Sequence, residues 1–293
     1  MKAVEITYRY EARDNPARPR PLDGDAALTR LGDGNRDFAS LLDSLKGDNN
    51  LAQLVVQVDP RDLGLLPGET GVPRQRPFAA VLGCSDARVP IELIFNEGPN
   101  DLFVIRVAGN GLGTEVLGSL KYAVEHLGAS LKLIVVLGHS GCGAITTAVE
   151  VFRNPSDYLP LASEHSLRNI LDRLLVIVHA SARGLMEFFG SDIALRPGYR
   201  QALIEASIVT NAALAAYSIE QQFGASGQAR LRVAYGVYLL ETREVWAPVL
   251  SETKGAGLAA PPKDATGFRE LSKAIVQSER IAALIRSEPP LPS

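Results

Sequence analysis

Residues 131–143 read LKLIVVLGHSGCG, and the fold follows from how that stretch is read. Leu131–Leu137 is a near-continuous apolar run ended by a glycine, the pattern of a strand covered on both faces. Phe78–Gly83 (FAAVLG) and Leu102–Val107 (LFVIRV) repeat the pattern upstream. Between the second and third runs, Thr114–Leu127 predicts a helix. Thr114 is its candidate cap, Val116, Leu117, Leu120, Ala123 and Val124 line one face, and Gly128 suits its end. Gly143–Phe152 predicts the helix that follows the third strand. Apolar strands alternating with helices predict an α/β fold: a mostly parallel central β-sheet flanked by helices.

Outward from this centre the patterning is weaker. Residues 1–27 are polar and carry Pro16, Pro19 and Pro21, which predicts an extended arm. Residues 28–48 predict a helix whose apolar face holds Leu28, Leu31, Phe38, Leu41, Leu42 and Leu45. Residues 57–77 are rich in Pro and Gly and predict a loop. Residues 163–189 and 199–223 predict two long helices, and Leu231–Leu240 and Val245–Val249 two late strands. A loop at Lys254–Gly267 and a helix at Phe268–Arg286 precede the terminal SEPPLPS. No repeat or clean linker is visible. The expected organisation is an N-terminal arm (1–27), one α/β domain (28–250) and a C-terminal tail with a helix (251–293).

The chain has 293 residues, and 30 Lys+Arg against 33 Asp+Glu leave a net charge of −3, so bulk charge points to no nucleic-acid or anionic-membrane partner. Hydrophobic residues make up 46% and charged residues 22%, ordinary for a globular protein and against whole-chain disorder. No uninterrupted apolar run reaches the roughly 18 residues of a membrane span. The first residues, MKAVEITYRYEARD, place charges where a signal peptide needs its apolar centre, so a cytoplasmic location is expected. Two cysteines in a chain of this length make no disulfide framework.

Both cysteines stand directly after strands. Cys84 lies in GCSDARVP, and His139 and Cys142 lie in GHSGCG. Ligands of open parallel sheets bind beyond the carboxyl ends of the strands, so residues 142 − 84 = 58 positions apart can meet there. Two thiolates and an imidazole suit Zn²⁺, and three protein ligands leave the open position of a catalytic zinc. Gly83, Gly138, Gly141 and Gly143 allow tight turns around the ligands. Cys142 opens a helix, where the dipole favours a thiolate. Asp86 can bind such a metal or accept a hydrogen bond from its water, and Arg88 can hold Asp86 ionised. His126, His165 and His179 lie on predicted helices or their approaches and read as structural. A thiolate phosphatase loop fails because position 90 is Pro rather than Arg. A thioredoxin motif fails for want of C-x-x-C, and a zinc ribbon for want of four cysteines.

CSDARVP at 84–90 and GHSGCG at 138–143, with VIRVAGN at 104–110 between them, resemble the zinc motifs of the β-class carbonic anhydrases. The resemblance covers residues 30–150 well, then Ala202–Ala215 and Leu231–Leu240 more weakly. It implies a Zn²⁺ site of Cys84, His139 and Cys142, with Asp86 and Arg88 as a catalytic dyad and Asp86 a ligand only in a closed state. It also implies reversible hydration of CO₂ to bicarbonate by zinc-bound hydroxide that the dyad orients. Gln75, Phe103, Ala108 and Tyr122 are the implied substrate pocket, and a homodimer or homotetramer is the implied assembly. The chain departs from the family in its N-terminal arm, its 57–74 loop and its long helical stretch after residue 160. It also carries Val81 where one bacterial subset has a bicarbonate-binding Trp. Relatives on the same scaffold hydrolyse carbon disulfide or carbonyl sulfide. A non-catalytic zinc protein and a Cys84–Cys142 redox switch are the other readings.

Overall fold

The computed structural model describes residues 2–12, 18–45, 50–66, 71–162, 165–224, 231–248 and 257–286. Pro16, residues 67–70 of the expected loop, Val249, the 250/251 boundary, residues 254–256 and the terminal SEPPLPS lie outside them.

The chain opens with β1 (Ala3–Tyr10), α1 (Gly24–Ser40) and β2 (Leu51–Val58). The central part follows as β3 (Ala79–Gly83), α2 (Ile91–Ile94), β4 (Leu102–Arg106), α3 (Thr114–Leu127), β5 (Leu133–His139) and α4 (Gly143–Arg153). Then come α5 (Tyr158–Ala162), α6 (His165–Phe189), α7 (Tyr199–Phe223), β6 (Arg232–Tyr238), β7 (Val245–Trp246), α8 (Ala265–Gln277) and α9 (Glu279–Arg286). Among the described residues the main sheet has the order β4-β3-β5-β6-β7, with β7 antiparallel to β6 and the other named strands parallel.

Every residue of β3 and β5 is buried, as the unbroken apolar runs predict. Their side chains alternate between two cores. Ala80, Leu82, Ile134 and Val136 face one, and Ala79, Val81, Leu133, Val135 and Leu137 face the other. The chain steps from β3 outward to β4, then back across β3 to β5 and on to β6. Right-handed crossovers in opposite directions must lie on opposite faces of a sheet. Accordingly α2 packs in one core through Ile91 and Ile94, while α3, α4, α6 and α7 pack in the other. The reversal of direction opens a crevice at the carboxyl ends of β3 and β5.

Several expectations change. The 1–27 arm and the loop from residue 57 expected no pairing, yet β1 pairs in parallel with β2 from Ala3↔Leu51 to Tyr10↔Val58. The strand signal was present in LAQLVVQV, whose Ala52, Leu54, Val56 and Val58 point inward at period two. The first helix begins at Gly24 because the Asp23 side chain accepts from Ala26 N at 2.8 Å. Its apolar residues Leu28, Leu31, Phe38 and Leu41 are buried in this chain's own core. Gly113, not Thr114, occupies the cap of α3. The expected 268–286 helix is two helices: Ser278 turns extended (ψ 143°) and its Oγ accepts from Ile281 N, restarting the chain as α9. Finally, α7 is long and apolar enough by length and composition to cross a membrane, but 78% of its apolar window is buried, which makes it the central core helix.

Candidate metal centre

Sheet register assembles the site. Gly83 pairs with Leu137, so Cys84, one residue past β3, comes level with the end of β5, where His139 stands. Cys142 returns to the same point because Gly141 adopts φ +64°, a left-handed turn that costs other residues about 1 kcal/mol or more. Of the four glycines expected to turn sharply here, only Gly141 uses a positive φ. Gly83 is needed for a different reason, since a Cβ there would sit 2.6 Å from Ile91 Cδ1. Candidate ligand atoms of Cys84, His139 and Cys142 lie within 4.8 Å of one another, and all three residues are buried.

The donor set fits Zn²⁺ on local evidence. His139 Nδ1 lies 3.0 Å from the Ser140 carbonyl. A carbonyl only accepts, so Nδ1 carries the hydrogen and Nε2 keeps a lone pair. That Nε2 is buried and has no hydrogen-bond partner among the described residues. Beside it are two unbridged cysteines. Cys84 is pulled below the usual thiol range, first by the hydrogen bond from Cys142 and further by backbone N–H groups, against desolvation. Cys142 is pushed up, first by its bond to Cys84 and then by burial. Two sulfurs this close favour sharing a proton, which a divalent cation would displace on binding. Backbone N–H groups at the start of α4 favour the ionised form of Cys142.

Asp86 sits at the rim. Its Oδ1 accepts from Arg88 N at 2.9 Å and Nε at 3.0 Å, and its Oδ2 accepts from Nη2 at 2.7 Å. This fork holds the carboxyl below the usual carboxylate range. Oδ2 also lies 3.9 Å from His139 Nε2, so the carboxylate borders the ligand cluster while facing Arg88. Arg106 donates to the Cys84 carbonyl at 3.0 Å and the Asp86 carbonyl at 2.5 Å, clamping the loop that carries both.

Two supporting groups were not legible in the sequence. Gly109, at φ +65°, directs its N–H at Cys84 Sγ from 3.4 Å, and Asn211 of α7 donates to the Gly109 carbonyl at 2.9 Å. Ser140 Oγ donates to Glu241 at 2.8 Å. Both partners lie about a hundred positions away, where no spacing rule reaches.

The implied pocket residues divide. Ala108 lies beside the centre, next to Gly109, and lines a cavity of about 360 Å³ with Val107, Leu112, Val116, Ile170 and Leu174. Phe103 pairs with Ala80 near the start of β3 and packs on Tyr122 with centroids 6.5 Å apart. Gln75 precedes β3, between residues that Asn100 holds. Within one chain, Gln75, Phe103 and Tyr122 therefore stand toward the opposite end of the strands from Cys84. Of the histidines read as structural, His126 stacks on Tyr122 and His179 packs edge-on against Phe152; the side chain of His165 lies outside the described residues.

Comparison with known proteins points the same way. The family described as "Carbonic anhydrase" matches residues 79–244, more than half of the chain. Carbonic anhydrase 2 of Mycobacterium tuberculosis is 49% identical over 75 residues, 26% of this chain and 35% of that protein. The carbonic anhydrase of Mycolicibacterium smegmatis is 52% identical over 71 residues, 24% of this chain and 34% of that protein. The matched stretch thus spans about a third of the length of these curated relatives. Among solved structures, Coccomyxa beta-carbonic anhydrase in complex with acetazolamide is similar at TM-score 0.46 and 21% identity, over 81% of this chain and 90% of that one.

Proposed function

The chain belongs to the carbonic anhydrase family, and from that premise we propose that it catalyses the reversible hydration of CO₂ to bicarbonate and a proton at a centre formed by Cys84, His139 and Cys142. The observation that carries this reading is the buried, lone-pair Nε2 of His139 facing two unbridged sulfurs, with an Arg-locked carboxylate at its edge. Zn²⁺ held by these three residues supplies acidified water as a nucleophile near neutral pH.

Asp86 is the acceptor. Both its oxygens are engaged by Arg88, so its remaining lone pairs point in fixed directions and it stays ionised. It takes a hydrogen bond from the attacking water and aims that water's free lone pair at the substrate carbon. Arg88 holds Asp86, and Arg106 holds the backbone under both Cys84 and Asp86. With Asp86 on Arg88, the arrangement is the open one, in which the carboxylate orients rather than ligates. Ala108 offers apolar surface to a small apolar substrate.

Gln75, Phe103 and Tyr122 can line the substrate only if a second copy presents them, which supports a homodimer or a higher even-order assembly. Tyr122 is about half exposed, available for such a contact. A cytoplasmic location is part of this reading.

The test is stopped-flow CO₂ hydration by the purified, zinc-loaded protein. Turnover that Asp86→Asn abolishes supports the proposal. Zinc-loaded protein that leaves CO₂ hydration at the buffer rate, yet hydrolyses carbon disulfide or carbonyl sulfide, would replace it.

A further inference from the structure

Arg280 lies on α9, beyond the residues that match the family. Its guanidinium is divided between two carboxylates on different elements. Nε and Nη2 donate to Glu205 Oε2 of α7 at 2.9 and 2.8 Å, and Nη1 donates to Glu241 Oε1 at 2.6 Å. The Glu205 side chain is only 6% exposed, so this bridge compensates a buried charge. The other oxygen of Glu241 accepts from Ser140 Oγ at 2.8 Å, and Ser140 Oγ accepts from Leu240 N at 2.9 Å. The Ser140 carbonyl takes the Nδ1 hydrogen of His139. Hydrogen bonds, several of them charge-assisted, thus link the C-terminal helix to Ser140, and the backbone of Ser140 carries the link on to the imidazole.

We propose that Arg280 is a positioning residue of the metal centre. It holds Glu241 in place, Glu241 and Leu240 fix Ser140, and the Ser140 carbonyl sets the tautomer and ring plane that present Nε2 to the metal. Glu241 is about half exposed, so the Arg280 bond adds to the Ser140 bond in keeping its carboxylate turned inward. The device requires arginine, because one planar fork reaches two carboxylates that a lysine ammonium could not bridge in the same geometry. Outer-shell partners of a metal-binding histidine tune affinity in this way. The C-terminal extension is then part of the site's scaffold rather than an appendage. The proposal rests on the metal-centre reading above.

The experiment measures zinc transfer from the zinc-loaded full chain to a chromophoric chelator, alongside circular dichroism and thermal melting. Glu241→Ala, a half-exposed position, is expected to keep its fold and release zinc about tenfold faster. Arg280→Ala is expected to do the same, and the double variant to release no faster than the faster single one. Should Arg280→Ala fold poorly, Arg280→Ala with Glu205→Gln removes the orphaned buried charge and keeps the test open. A purely structural role would lower the melting temperature and leave zinc release unchanged; wild-type release rates in Glu241→Ala and in the Arg280 variants would overturn the proposal. Wild-type protein that holds no zinc would overturn the metal centre itself, and the proposal with it.

Discussion

Asp86 and Asn211 show two ways in which a single residue serves the centre. Asp86→Asn keeps size and hydrogen-bond count but places a donor where the attacking water needs an acceptor. Turnover is expected to fall about a hundredfold or more with zinc content unchanged; paired kinetics and elemental analysis check both halves. Asn211 acts at a distance. Its amide satisfies the Gly109 carbonyl, which is part of the turn whose N–H reaches Cys84. Asn211→Ala leaves that buried carbonyl unpaired, at an expected cost of about 1–3 kcal/mol by urea denaturation. A change below about 0.5 kcal/mol would mean the turn finds another partner. The sequence disclosed Cys84, Asp86, Arg88, His139 and Cys142 because each stands within a few residues of a strand end. Asn211, Glu241 and Arg280 carry no such mark, since their roles exist only once distant elements have packed.

Among elements, strands betray themselves by composition and pairings do not. FAAVLG is apolar throughout and LKLIVVL is so after Lys132, because both faces of the main sheet are covered, so β3 and β5 were legible without a partner. The β1–β2 pair was not, because parallel partners 51 − 3 = 48 residues apart share no turn signal. The α2–β4 connection holds a buried ion cluster with α1 and the residues before it. Glu97, fully buried, accepts from Arg30 Nε at 3.0 Å and Arg18 Nη2 at 3.1 Å. Burial pushes its carboxyl from 4.5 up to about 7, outweighing both guanidiniums. The folded protein therefore binds the Glu97 proton more tightly than the unfolded chain does. The stability this group contributes is complete below about pH 4.5 and is lost as pH rises through 7. Denaturation across that window should show a falling slope in the wild type that Glu97→Gln lacks. Parallel profiles would contradict the shift.

For the whole molecule, the apolar face of α1 closes this chain's own core. Gln75, Phe103 and Tyr122 stand away from the cysteines of their own chain, so they can reach a centre only in a second copy. Val4, Ile6, Tyr8 and Tyr10 of β1 add exposed apolar surface. An even-order oligomer is expected by light scattering at micromolar concentration, and a monomer that is fully active would show that these residues do not line the pocket.

One zinc per chain is expected to carry the chemistry. Metal-free protein titrated with Zn²⁺ while CO₂ hydration is followed by stopped flow joins both claims in one curve. The rate should rise linearly and break at one zinc per chain, and Cys142→Ser should show no break, having lost a ligand. A protein fully active before zinc is added, or one that stays at the buffer rate beyond one equivalent, would contradict it.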